Sequence, residues 1–281
     1  MNFKISAALA ASDCRRTLEG LKLDMVILLN SSKTLDFDRP AHISKYTRAE
    51  FTAECEYLVR QLRKYSLAKF AKLMDCSEKL ARLNIDRYRN WQFSPDPKTA
   101  RQALLAFTGD IYSEMTVNRY KLTDFNFAQK HLRILSGLYG ILRPLDLIQP
   151  YRLEMKTKLA TARGADLYRF WGLRIHRSLQ EMLKIEKSGM LINLVSLEYF
   201  KAVKAGQLDA RVITPSFKER RGDSYRVVAL YAKKARGAMC DFIIRNRLTR
   251  PEDLQTFSLG GYKFNQKLSS ETEWIFARSG R

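Results

Sequence analysis

The chain has 281 residues, 46% of them hydrophobic, and its 50 Lys and Arg against 29 Asp and Glu leave a formal charge of +21. That length and apolar content build a sizeable core in one large domain and exclude a disordered tail. Charge of this sign, spread along the chain, favours polyanionic partners: nucleic acid first, then an anionic membrane face, then phosphorylated or acidic small molecules.

Cys14, Cys55, Cys76 and Cys240 stand far apart with no CxxC pair, as free thiols in a reducing compartment would. With only His42, His131 and His176, no metal-binding spacing exists, and neither a metal nor a cofactor is expected. The apolar runs fall far short of the roughly 18 residues a spanning helix needs, so no membrane partner is expected. Residues 1–24 hold a short alanine-rich patch followed at once by charges, a poor signal peptide. They read as an N-terminal extension, disordered or from an upstream start, ahead of a natural start at Met25.

Residues 25–29 (MVILL) form a buried strand that ends in polar Asn30, Ser31 and Ser32. Lys33, Thr34 and Asp36 follow just beyond the strand end, where open α/β sheets commonly bind ligands. Thr47 and Glu50 have capping-box spacing, and Phe51, Cys55, Leu58 and Leu62 form a helical stripe for the core. Two shorter helices, 66–74 and 77–91, make a tight pair decorated by Lys69, Lys72, Lys79, Arg82, Arg87 and Arg89. Such a pair would present backbone amides to a nucleic-acid strand, and it equally fits an ordinary helical hairpin with a solvated face.

Residues 103–107 read as a second strand, stopped near Gly109 and Asp110. Residues 123–132 are helical, and Gly137 and Gly140 interrupt the aliphatic run 133–142, implying turns or a close backbone approach. Two prolines make the next stretch irregular; its Arg143 and Arg152 would clamp a phosphate or carboxylate, or Arg152 would pair with Glu154 within a rigid loop. A long helix is expected over 164–183 and a third strand over 190–195, with Ser196, Glu198 and Lys201 at its end. Strands 212–217 and 225–231 would enclose a basic turn and deliver YAKKARG (231–237) at a helix start. There Lys233, Lys234 and Arg236 would join free backbone amides and the helix dipole in holding an anion, or the lysines would reach into water as a solvated face. A short helix after Pro251 and a last strand near 274–276 complete the chain. Strand-like runs interleaved with amphipathic helices imply an α/β fold, bordering on α+β, with a mixed sheet and surrounding helices.

Several blocks together resemble a known family, the YaaA peroxide-stress proteins: NSSKTLDF (30–37), LRILSGLYGILRPLDLIQPYRLEM (132–155), LYRFWG (167–172), LINLVSLEYFKAV (191–203), YAKKARG and FIIRNRL (242–248). The first block departs from the family's SPAKTLDF-like pattern by carrying Asn30, Ser31 and Ser32 and no proline. The resemblance implies a cytoplasmic protein that helps cells survive peroxide by limiting free iron and DNA damage. It further implies DNA binding through a positive cleft and a helix-hairpin-helix-like element, whose expected place is the pair at 66–91.

The residues then support two readings. In the first, a non-catalytic monomer binds duplex or branched DNA with low sequence specificity. Lys33, Thr34, Arg143, Arg152, Lys201, Lys233, Lys234 and Arg236 contact phosphates, Lys79 and Arg82 add contacts from the helical pair, and Asp36, Asp110 and Glu198 are acidic neighbours in the cleft. In the second, the same cleft belongs to an enzyme acting on a nucleotide or nucleic acid, with Asp36 or Glu198 as general base. A concave pocket with a carboxylate against Lys33 would favour the second, an open groove of cations the first.

Overall fold

The computed structural model describes residues 25–95 and 97–279; the proposed extension at 1–24 lies outside them. The first strand, β1 (Met25–Asn30), is buried at every position. A run of Val, Ile and Leu with no polar alternation suits a strand covered on both faces, where each such side chain contributes about 1.5–3 kcal/mol by leaving water. Helix α1 (Thr52–Leu62) buries Cys55, Leu58, Val59 and Leu62, the stripe its spacing predicts. The pair α2 (Leu67–Met74) and α3 (Glu78–Asn90) follows; the Ser77 hydroxyl accepts the Leu80 amide and caps α3.

After α4 (Leu122–His131) come the antiparallel strands β2 (Leu132–Ser136) and β3 (Gly140–Leu142), helices α5 (Leu167–Trp171) and α6 (Arg174–Ile185), and strand β4 (Met190–Asn193). Strand β5 (Arg211–Arg221) turns into β6 (Ser224–Arg226), helix α7 (Ala229–Asn246) crosses the molecule, and β7 (Lys263–Phe264) and β8 (Glu273–Ser279) close the sheet. The sheet order is β7-β8-β5-β4-β1-β2-β3, with β6 paired to β5. The strands β8, β5, β4, β1 and β2 run parallel, whereas β3, β6 and β7 pair antiparallel. This is the expected mixed sheet with surrounding helices.

Four expectations are corrected. Thr47 caps no helix: it lies in a short strand paired with Asp146–Ile148 and donates its hydroxyl to Asp146, while α1 starts at Thr52. Residues 103–107 are mostly a helical turn (Ala103–Ala106), because a short apolar run buried all round has no periodicity to separate turn from strand. The helix expected over 164–183 is two helices, broken at Gly172. The run 225–231 leaves the sheet at Arg226, and its Ala and Leu begin α7 at Ala229. Lys233, Lys234 and Arg236 therefore sit inside the helix, past the free amides of its first turn.

Topology opens one crevice. The chain leaves β1 for β2 on one side, whereas it leaves β4 for β5 on the other. Between the carboxyl ends of adjacent, parallel β1 and β4 the connections diverge, which is where open α/β sheets admit ligands.

Two glycines set the crevice walls. A Cβ on Gly137 would lie 2.3 Å from the Leu153 carbonyl oxygen, so only glycine lets the segment carrying Glu154 press on the β2–β3 turn. A Cβ on Gly237 would lie 1.7 Å from the Ile111 oxygen, so glycine also lets α7 seat against residues 110–113. In an ordinary helix interior Gly to Ala stabilises by about 1 kcal/mol. At this position the sign inverts: Gly237→Ala should destabilise by about 1–3 kcal/mol or more, read from urea unfolding, and a stabilised variant would show that the contact is not tight.

Candidate functional site

The crevice is a cleft of about 450 Å³ lined by Asn30–Thr34, Gly109–Ile111, Glu154, Lys156, Ser196, Glu198, Tyr199, Lys233 and Arg236. Its floor is built by the strand ends. The Asn30 amide donates to the Ser196 hydroxyl at 3.1 Å, and the Ser196 backbone amide donates back to the Asn30 side-chain oxygen at 2.9 Å. The Tyr112 hydroxyl donates to the Asn30 carbonyl at 2.7 Å, and Ser31 donates to the Tyr199 hydroxyl at 3.4 Å. Burial pushes the Tyr199 phenol well up, so it stands in the cleft as a neutral hydroxyl.

The second wall comes from an extended segment in which Tyr151, Leu153, Met155, Thr157 and Leu159 point inward. Alternation turns Arg152, Glu154 and Lys156 to the other side. Glu154, only 14% exposed, gathers three cations: Lys33 at 2.8 Å, and Arg152 and Lys156 at 3.7 Å. The backbone amide of Lys156 donates to Glu198 at 3.1 Å. Arg152 also has a buried Nε with no hydrogen-bond partner among the described residues.

The third wall is one face of α7, where i, i+3 spacing puts Lys233 and Arg236 side by side over the cleft. Lys233 reaches Asp110 at 3.8 Å. Arg236 has no ion-pair or hydrogen-bond partner for its side chain among the described residues, and burial lowers its pKa with no acid to offset the cost.

Of the residues proposed from sequence, the fold thus brings together Lys33, Thr34, Lys233, Arg236, Asp110 and Glu198, with Arg152 behind Glu154. It sends four elsewhere. Arg143 pairs with Asp146, 1% exposed, at 2.9 Å and lines a different hollow beside α6. Lys201 stands over the Tyr168 ring at 4.9 Å. Lys234 points to the other side of α7, reaching Glu114 at 3.3 Å. Asp36 folds back on its own loop, accepting the Asp38 and Arg39 amides and pairing with Arg39 at 3.0 Å. Burial acts to raise its pKa, but these amides and the Arg101 and Arg39 charges hold it below its ordinary value, so Asp36 is no base for this cleft.

The carboxylate against Lys33 is Glu154, which the sequence reading had only as a partner of Arg152. Lys156 was not singled out at all. The alternation of apolar residues from Tyr151 to Leu159 was the signal that would have placed it there.

A family model described as peroxide stress protein YaaA matches residues 25–268. The chain belongs to this family. It is similar to a UPF0246 protein of Burkholderia orbicola strain MC0-3, 46% identical over 256 residues that cover 90% of this chain and 98% of the relative. UPF0246 proteins of Burkholderia cenocepacia strain J2315 and Burkholderia lata strain 383 match at the same identity and coverage. Membership supports a role in the peroxide stress response. Among the described residues no helix is long and apolar enough to cross a membrane.

Glu154 should matter more to stability than any cation it holds. Lys33→Ala leaves the acid two partners and should cost less than about 1 kcal/mol, since Lys33 is 54% exposed. Glu154→Ala strands Arg152, which is 15% exposed, and should cost about 1–3 kcal/mol. Urea unfolding of both variants checks the order; equal costs would contradict the role of Glu154 as the hub.

Proposed function

We propose that this peroxide stress protein binds DNA with low sequence specificity and thereby limits iron-dependent damage to it, with the α2–α3 pair as its main contact surface. The observation that carries this reading is a net positive helical pair, on which six Lys and Arg outnumber Asp75, Glu78 and Asp86. Lys69, Lys72, Lys79 and Arg82 are exposed on the pair, and none has a side-chain partner among the described residues. Ion pairs elsewhere neutralise many of the remaining cations, so the excess of +21 is felt at surfaces such as this one.

The pair is rigid enough to serve as a platform. Phe70 and Tyr88 meet across it with ring centroids 6.0 Å apart. Arg63 of the segment after α1 donates to the Tyr88, Arg89 and Trp91 carbonyls at the end of α3. The Tyr88 hydroxyl donates to the Arg152 carbonyl at 2.7 Å, fastening the pair to the wall of the cleft. Cations held this way contact phosphates without reading bases.

The contact of Lys33 with Glu154 inside a concave cleft supports a second reading, an enzyme acting on a nucleotide or nucleic acid. There Glu198 is the remaining candidate base.

Titration against duplex and four-way-junction DNA at several salt concentrations tests the first reading. Binding should weaken by about 0.9 logarithmic units per phosphate contact for each tenfold rise in salt. Replacing Lys79 and Arg82 together by Ala should flatten the slope by about two contacts' worth. Absence of binding at low salt would remove DNA as the partner and leave the enzyme reading.

A further inference from the structure

The cleft is too small and too mixed in charge to be merely a continuation of the cationic face. Its 450 Å³ is the volume of a small-molecule site, and a duplex would lie across its mouth rather than enter it. We propose that the cleft between β1 and β4 binds a terminal phosphate, a phosphomonoester carried by a nucleoside- or sugar-sized group, with Arg236 as its anchor. The inference stands beside the DNA-binding reading and does not depend on it, because the helical pair and the cleft use different residues.

Arg236 is the first reason. A guanidinium keeps its charge when desolvated and presents a planar fork of donors that matches phosphate oxygens. Here Arg236 lines the cleft with no acid paired to it among the described residues, whereas Lys33, Lys156 and Lys233 each have one within 4 Å. A bound phosphate would supply the missing counter-charge.

The uncharged donors are the second reason. The hydroxyls of Ser31, Ser32, Thr34 and Ser196 line the same cleft. The Ser32 oxygen accepts the Thr34 amide and the Ser196 oxygen accepts from Asn30, which leaves both hydroxyl hydrogens to be donated to a ligand.

The acids are the third reason, and they fix the rest of the ligand. Glu154, Glu198 and Asp110 repel a strand that threads phosphate after phosphate through the cleft. They suit a molecule that carries hydroxyl or amino donors as well as its phosphate. A terminal phosphate has two sources, a free nucleotide or sugar phosphate and the 5′ end of a nucleic-acid strand.

Isothermal titration calorimetry on the full chain tests the proposal with adenosine 5′-monophosphate against adenosine, and with one single strand in 5′-phosphorylated and 5′-hydroxyl forms. The phosphorylated member of at least one pair should bind about tenfold tighter or more, the range for a charge-assisted bidentate contact. A preference in the mononucleotide pair identifies a small-molecule ligand, and one confined to the strands identifies a strand end. Arg236→Gln should abolish the preference and Arg236→Lys should retain part of it, while replacing Lys79 and Arg82 by Ala should leave it intact. The proposal is overturned if the native protein shows no preference in either pair, or if the preference survives Arg236→Gln but is lost with Lys79 and Arg82. Loss of duplex binding with the 5′-phosphate preference intact would sink the DNA reading alone.

Discussion

Strand β1 is the constraint on which the rest depends. It is buried along its whole length with parallel neighbours on both sides, so its carboxyl end has one way out, into the space where the connections from β1 and β4 diverge. Backbone groups that emerge in such a place must still find partners. Asn30 and Ser196 meet this demand reciprocally, the Ser31 amide returns to the Leu135 carbonyl, and Tyr112 satisfies the Asn30 carbonyl. The polar floor of the cleft is thus first a solution to ending two buried strands. Its hydroxyls are available to a ligand because the backbone has used only part of their capacity.

The walls follow from backbone contacts that tolerate no side chain. Gly137 admits the extended segment with Glu154, and Gly237 admits residues 110–113 against α7. Both contacts bring a charged loop within reach of the strand ends, and both tie cleft shape to core packing. A buried acid on α7 adds to this. Asp241 accepts the Thr116 amide and hydroxyl and, at 2.7 Å, the Tyr120 hydroxyl, holding the loop after residues 110–113 on the same helix.

Electrostatics divide the molecule into cations that are used and cations that are free. Arg143 serves the buried Asp146, and Arg245 and Arg247 serve Asp124. These charges stabilise the fold and are lost to any ligand. The cleft keeps a balance, cations facing three carboxylates, whereas on the helical pair six cations outnumber three acids. A polyanion and a small phosphorylated molecule are suited to these two surfaces respectively.

The sequence by itself determined much of this. The apolar run of β1, the stripe of α1, the helical pair, the strand at β4 and the mixed sheet were legible because burial writes itself into periodicity and polar residues mark where elements end. Lys33 and Glu198 could be put near strand ends for the same reason. Tertiary structure alone decided which strand ends are neighbours, that Glu154 and not Asp36 faces Lys33, and that the helix face with Lys233 and Arg236 is the one turned to the cleft. It also decided that Arg143 belongs to Asp146. Periodicity reports whether a residue faces inward; it carries no information about which distant segment lies opposite, because that is fixed by strand order and by the close approaches at Gly137 and Gly237.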